Sequence, residues 1–120
     1  MRIVNPVAVL GENFACEYLK NKKYKIIERN FRKKYEEIDI IAVQGSTLVF
    51  IEVKARTSGS FGSPFEGISS SKLRHLVQLA QFYKLLHPNL PDNMRIDAIG
   101  VTWSNNNNPQ IEHLENISGF

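Results

Sequence analysis

The chain has 120 residues, 42% of them hydrophobic, and carries a net charge of +3 at pH 7. That length supports a single domain over 1–120, able to bury roughly two-thirds of the surface its unfolded chain exposes. No apolar run reaches the roughly 20 residues of a membrane span, and the first residues lack the charged, apolar and small-residue order of a secretory signal; the expectation is a cytoplasmic protein with no membrane partner.

Asn5-Pro6 reads as a helix start, an N-cap followed by proline at the first helical position, and Val7, Leu10, Phe14 and Tyr18 then recur at helical spacing to about Asn21. Glu12 shares a side with Ala8, Ala15, Cys16 and Leu19, so it borders the apolar stripe, as a further carboxylate for a site or as a solvated edge residue. Cys16 is the single cysteine; it cannot form an internal disulfide, and its neighbours mark it as packing.

Tyr24 to Phe31 contains Ile26-Ile27 and reads as an edge strand. Around it lie Lys20, Lys22, Lys23, Lys25, Arg29, Arg32, Lys33 and Lys34, eight of the fifteen basic residues. They run straight into the acidic segment Glu36-Glu37-Ile38-Asp39. A basic stretch leading to acidic residues suits a polyanion held by its backbone, and equally describes a solvated face.

Two apolar segments follow, Ile38 to Val43 and Leu48 to Val53, joined by the hairpin signal Gln44-Gly45-Ser46. Alternation puts Leu48, Phe50, Glu52 and Lys54 on one face and Val49, Ile51 and Val53 on the other. Asp39 lies thirteen positions before Glu52, so folding the hairpin sets the two carboxylates side by side. Two such charges about 4 Å apart repel by about 1 kcal/mol in water and about 4 kcal/mol at the effective dielectric of a protein surface. A shared proton relieves that repulsion, and so does a hard divalent cation such as Mg²⁺ or Mn²⁺. An ammonium two residues on, Lys54, favours phosphate chemistry, where it orients water or stabilises developing charge. The plainer alternative is a Glu52–Lys54 ion pair at a strand end with Asp39 solvated.

Thr57 to Gly67 has the composition of a loop, read as mobile and at the mouth of the site. Ser69, Ser70 and Ser71 offer N-caps for a helix defined by Leu73, Leu76, Val77, Ala80 and Tyr83 and ending before Pro88, with Lys72, Arg74 and Gln78 on its polar side. Arg95 to Trp103 alternates as a strand, parallel to the Glu52 strand after a right-handed crossover. Asn105 to Asn108 reads as a flexible turn before a short terminal strand around Ile111 to Leu114.

This order of helix, three-strand meander, helix and strand, with Asp39 on the second strand and Glu52-Val53-Lys54 on the third, resembles the core of the PD-(D/E)XK nuclease superfamily, although the proline of that name is absent. More closely, Gly11-Glu12, Glu28-Arg29-Asn30-Phe31-Arg32, Glu37 to Ala42, Leu48 to Lys54 and Phe61-Gly62 resemble the YraN family of small uncharacterised bacterial proteins. Two positions depart from that pattern, Glu36 in place of glycine and Ala55 in place of threonine.

The resemblance implies an α/β fold with a restriction-endonuclease-like core, a mixed central sheet flanked by helices in the order α-β-β-β-α-β. It implies that Asp39 and Glu52 ligate Mg²⁺ or Mn²⁺ and that Lys54 positions the hydrolytic water. Glu12 completes the carboxylate set, as in similar archaeal Holliday-junction resolvases, with Glu37 a further candidate and Gln78 a weaker one. Arg29, Arg32, Lys33, Lys34, Arg56 and Lys72 are the expected nucleic-acid contacts. The function that follows is a metal-dependent endonuclease acting on DNA, branched or junction DNA by analogy with the fold, and a homodimer where two strands are cut symmetrically. A non-catalytic nucleic-acid-binding module that keeps the fold is the alternative, and a protein-interaction domain a third.

Overall fold

The computed structural model describes residues 5–59, 61–104 and 108–118. Helix α1 spans Pro6–Asn21, and Asn5 caps it as expected, its Oδ1 accepting the Val7 amide at 3.0 Å. Strands β1 (Lys25–Lys33), β2 (Glu36–Gln44) and β3 (Thr47–Thr57) form the meander. Helix α2 (Ser70–Leu86) starts at the Ser69 N-cap. Strands β4 (Asn93–Trp103) and β5 (Gln110–Leu114) close the chain. The five strands lie in sequence order in one mixed sheet, antiparallel except for the parallel β3–β4 pair.

The helices cover opposite faces. Ala15, Cys16 and Leu19 of α1 pack on Ile40, Ala42, Val49, Ile51, Ile99 and Val101. Leu76, Leu79, Ala80 and Tyr83 of α2 pack on Ile38, Ile41, Leu48, Phe50 and Ile96. The period-two pattern of β3 is thus obeyed residue by residue, with even positions under α2 and odd ones under α1. Cys16 is buried in the α1 layer, and burial pushes its thiol pKa up, in keeping with packing.

Two irregularities depart from the regular meander expected. The register of β1 on β2 shifts between Ile26 and Glu28, and Asn30 takes a left-handed conformation, φ 57°. The β2–β3 ladder, regular from Gln44–Thr47, ends at Ile40–Ile51. Beyond that point β2 continues only with β1, and β3 only with β4 as far as Thr57–Trp103. Ile38 packs under α2 whereas Ile40 packs under α1, so the alternation of β2 slips by one where the strands part.

A polar cluster is buried under the C-terminal half of α1. Asp97, 0% exposed, accepts from Asn116 N at 2.9 Å and from Arg95 Nε at 3.0 Å, with His113 Nε2 at 2.8 Å. Arg95 also donates to Tyr24 Oη and Gln44 Oε1, and His113 Nδ1 lies 3.0 Å from Tyr18 Oη. Residues 105–107 of the expected asparagine turn lie outside the described residues. No helix among the described residues is long and apolar enough to cross a membrane.

Candidate metal centre

The fork in the sheet makes the site. Where the β2–β3 ladder stops, the Val53 amide has no carbonyl opposite it and donates instead to Asp39 Oδ2 at 2.7 Å. Glu52 lies beside Asp39, 5% exposed, with Lys72 Nζ 3.5 Å and Lys54 Nζ 3.8 Å from its Oε2. Burial, reinforced by the negative charge of Glu52, pushes the Asp39 carboxyl up to about 9 against the opposing pull of the Val53 amide.

On the α1 side, ligand oxygens of Glu12, Glu37 and Asp39 all lie within 4.8 Å of one another. Glu37 and Asp39 come from one face of β2. Glu12 comes from α1, 9% exposed, at a point where the helix approaches β3 closely. A Cβ on Gly11 would overlap the Cβ of Ala55, so the pair of small residues lets the helix sit low enough to deliver Glu12. The side chain of Asn30 bridges the carboxylates, Nδ2 donating to Glu12 Oε1 at 2.9 Å and Glu37 Oε2 at 3.3 Å. Its left-handed backbone aims the amide there, a conformation asparagine tolerates better than most residues. Arg29 Nη2 stands 3.7 Å from Glu12 Oε1, and Arg32 Nη2 2.8 Å from Glu37 Oε1.

Together these groups line a cleft of about 390 Å³. The donors are carboxylate oxygens, which suit a hard divalent cation and not a soft one. The crowding of these carboxylates is what such a cation would relieve. The residues therefore fit Mg²⁺ or Mn²⁺, and Arg29, Arg32 and Lys72 stand around them as a basic rim.

Of the residues singled out in the sequence, Asp39, Glu52, Glu12, Arg29, Arg32 and Lys72 line this cleft, as does Glu37. Lys54 approaches Glu52 from the α2 side. Three expected nucleic-acid contacts lie elsewhere. Lys33 and Lys34 sit at the β1–β2 turn, with Gln78 across from them on α2. Arg56 is near the far end of β3, donating to Thr102 Oγ1 at 3.3 Å and the Phe61 carbonyl at 3.4 Å. Asn30 had no role in the sequence reading although it stands inside a quoted motif. An asparagine in the middle of a strand pattern, where it is a poor β former, was the signal available for it.

The family model described as "Uncharacterised protein family UPF0102" matches residues 11–101. A UPF0102 protein of Geobacter metallireducens is 44% identical over 106 residues, 88% of this chain and 86% of the relative. One from Renibacterium salmoninarum is 38% identical over 117 residues, 98% and 99% of the two chains. One from Chlorobium chlorochromatii is 43% identical over 110 residues, 92% of this chain and 80% of the relative.

Proposed function

Because the chain belongs to the uncharacterised protein family UPF0102, whose description assigns no reaction, we propose its function from the cleft itself: a metal-dependent nuclease of the PD-(D/E)XK kind, hydrolysing phosphodiester bonds in DNA, branched or junction DNA included. The observation that carries this reading is the meeting of Glu12, Glu37 and Asp39 within 4.8 Å, beside Glu52, at a fork in the sheet. In this reading Asp39, Glu52 and Glu12 hold Mg²⁺ or Mn²⁺, with Glu37 available as a further ligand. When bound, the cation supplies Lewis-acid polarisation of a phosphate oxygen and a water of lowered pKa. In this reading Lys54, paired with Glu52 at 3.8 Å, orients the attacking water. Arg29, Arg32 and Lys72 bind and orient the phosphate backbone, and their existing ion pairs with Glu12, Glu37 and Glu52 exchange for phosphate as the substrate enters. Symmetric cutting of a junction would take two such clefts in a two-fold pair.

The test is cleavage of labelled four-way junction, flap, single-stranded and duplex DNA with Mn²⁺ or Mg²⁺, in parallel with chelator and with Glu52→Ala. Metal-dependent cutting is expected, reduced about 10²-fold or more in the variant. DNA binding by Glu52→Ala should stay equal or tighten, since a negative charge is lost. Cutting that survives the substitution overturns the assignment. The second reading, a non-catalytic nucleic-acid-binding module, draws on Lys33, Lys34 and Arg56 lying outside the cleft. It predicts binding that is equal in chelator, falls steeply with salt, and leads to no cutting of any substrate.

A further inference from the structure

A second concavity lies beside the acidic cleft. On the α2 side an open groove of about 210 Å³ runs between the β1–β2 turn and α2, with Lys33, Lys34, Tyr35, His75 and Phe82 among its walls. At its lip the Tyr35 side chain is 104% exposed, an aromatic face left wholly to water. Lys34 beside it takes φ 59°, a left-handed conformation that glycine or asparagine adopts at lower cost. Lys33 Nζ stands 3.8 Å over the Phe82 ring, which fixes a second cation on the wall. Glu36 is the acidic group in the groove, and His75 Nδ1 lies 3.4 Å from its Oε1.

The groove opens on the α2 face of β2 and the cleft on its α1 face, since Glu36 in the groove and Glu37 in the cleft are consecutive on that strand; both lie at the β1–β2 end of the sheet. On α2, His75 in the groove follows Lys72 in the cleft by three residues, just under one turn, or about 5 Å along the helix. The volume is below the roughly 300 Å³ at which pockets for drug-sized ligands begin, and suits a single ring system.

We propose that this groove is a subsite for an unpaired nucleic-acid strand: the strand whose phosphate lies in the acidic cleft passes the Glu36–Glu37 end of β2, stacks one base on Tyr35 and sets its next phosphates against Lys33 and Lys34. This deepens the nuclease reading of the cleft and rests on it. A base inside a duplex is stacked on both faces and has none to offer Tyr35, whereas an unpaired base has a free face. The subsite therefore selects frayed ends, flaps and branch points over continuous duplex.

Fluorescence anisotropy in chelator, with a short labelled duplex that is either blunt or extended by an unpaired tail, tests this without cleavage. A DNA tail and an RNA tail form separate arms and decide which sugar the groove accepts. A tail of at least one kind should tighten binding about tenfold, within what stacking of a single base supplies. Tyr35→Ala should abolish that preference and Tyr35→Phe should keep it, while Lys34→Ala should lower the salt slope of tailed binding by about one unit. Equal binding of blunt and tailed probes, or a Tyr35→Ala loss that is the same on both, overturns the subsite. The same probes with Mn²⁺ separate the two readings. Cutting without tail preference defeats the groove alone; a Tyr35-dependent tail preference without cutting upholds the groove and counts against the nuclease.

Discussion

Asp39 is held in its uncharged form by its own surroundings, and that has a measurable cost. With its carboxyl pushed up to about 9 from an ordinary 3.8, the folded protein keeps a proton there that the unfolded chain releases. Stability from this group is therefore fully present below about pH 4 and is lost as pH rises towards 9. Asp39→Asn removes the dependence. In chelator, the variant should gain on the wild type by about 1 kcal/mol or more between pH 5 and pH 8, read by urea denaturation at both values. If the cleft takes Mn²⁺ as proposed, the cation should stabilise the wild type by about 2.7 kcal/mol at a hundred times Kd, and the same variant should lose most of that gain. The pair Asp39 and Glu52 was legible in the sequence because hairpin register and strand alternation follow from apolar spacing. Asn30 was less so: an asparagine inside a strand pattern marks the position as unusual, but the positive φ that aims its amide at the carboxylates comes from the fold.

Among the elements, α1 shows how a packing detail governs the placement of a carboxylate. Gly11 and Ala55 let the helix lie against β3, and the next residue is Glu12. Gly11→Val should push the N-terminal half of α1 off the sheet, costing about 1–3 kcal/mol of stability. It should also weaken Mn²⁺ binding measured by calorimetry, because Glu12 is carried away from Glu37 and Asp39. Full metal affinity in a destabilised Gly11→Val would mean that Glu12 is not a ligand. The elements themselves followed the sequence closely. The Asn5-Pro6 start, the Ser69 cap and the alternation of β3 are local signals, and each was where propensity placed it. The register shift and Asn30 kink in β1 and the early end of the β2–β3 ladder were not legible. They arise from the meeting of β1, β2, β3 and α1, and none of those segments encodes the meeting alone.

At the scale of the molecule, the buried Asp97 cluster ties the C-terminal segment to the sheet. Burial pulls the Asp97 carboxyl upward, but His113, the Asn116 amide and Arg95 together outweigh it and hold the pKa below its usual value. A depressed acid contributes its stability above about pH 4 and loses it as pH falls through the folded pKa. Wild-type stability should thus fall steeply below pH 4, with the β5 amides losing hydrogen-exchange protection ahead of β3. Asp97→Asn should be less stable at pH 7 by about 3–5 kcal/mol, since it leaves Arg95 short of its partner, and should show a flatter acid limb. No sequence pattern joined Tyr18, Asp97 and His113, which come together only when β5 pairs with β4 beneath α1.

The parting of β2 from β3 bears on more than the placement of carboxylates. Within a ladder, neighbouring strands are locked at about 4.8 Å by their amides and carbonyls, and no side chain can alter that distance. Past Ile40–Ile51 the lock is absent, and the tip of the β1–β2 hairpin stands as a cantilever. It is braced by Phe31 and Lys33 against α2 and stayed across the gap by the Asp39–Val53 bond. The aperture between the halves of the sheet is consequently set by side chains, so a substitution can retune its width while the register of every strand stays as it is.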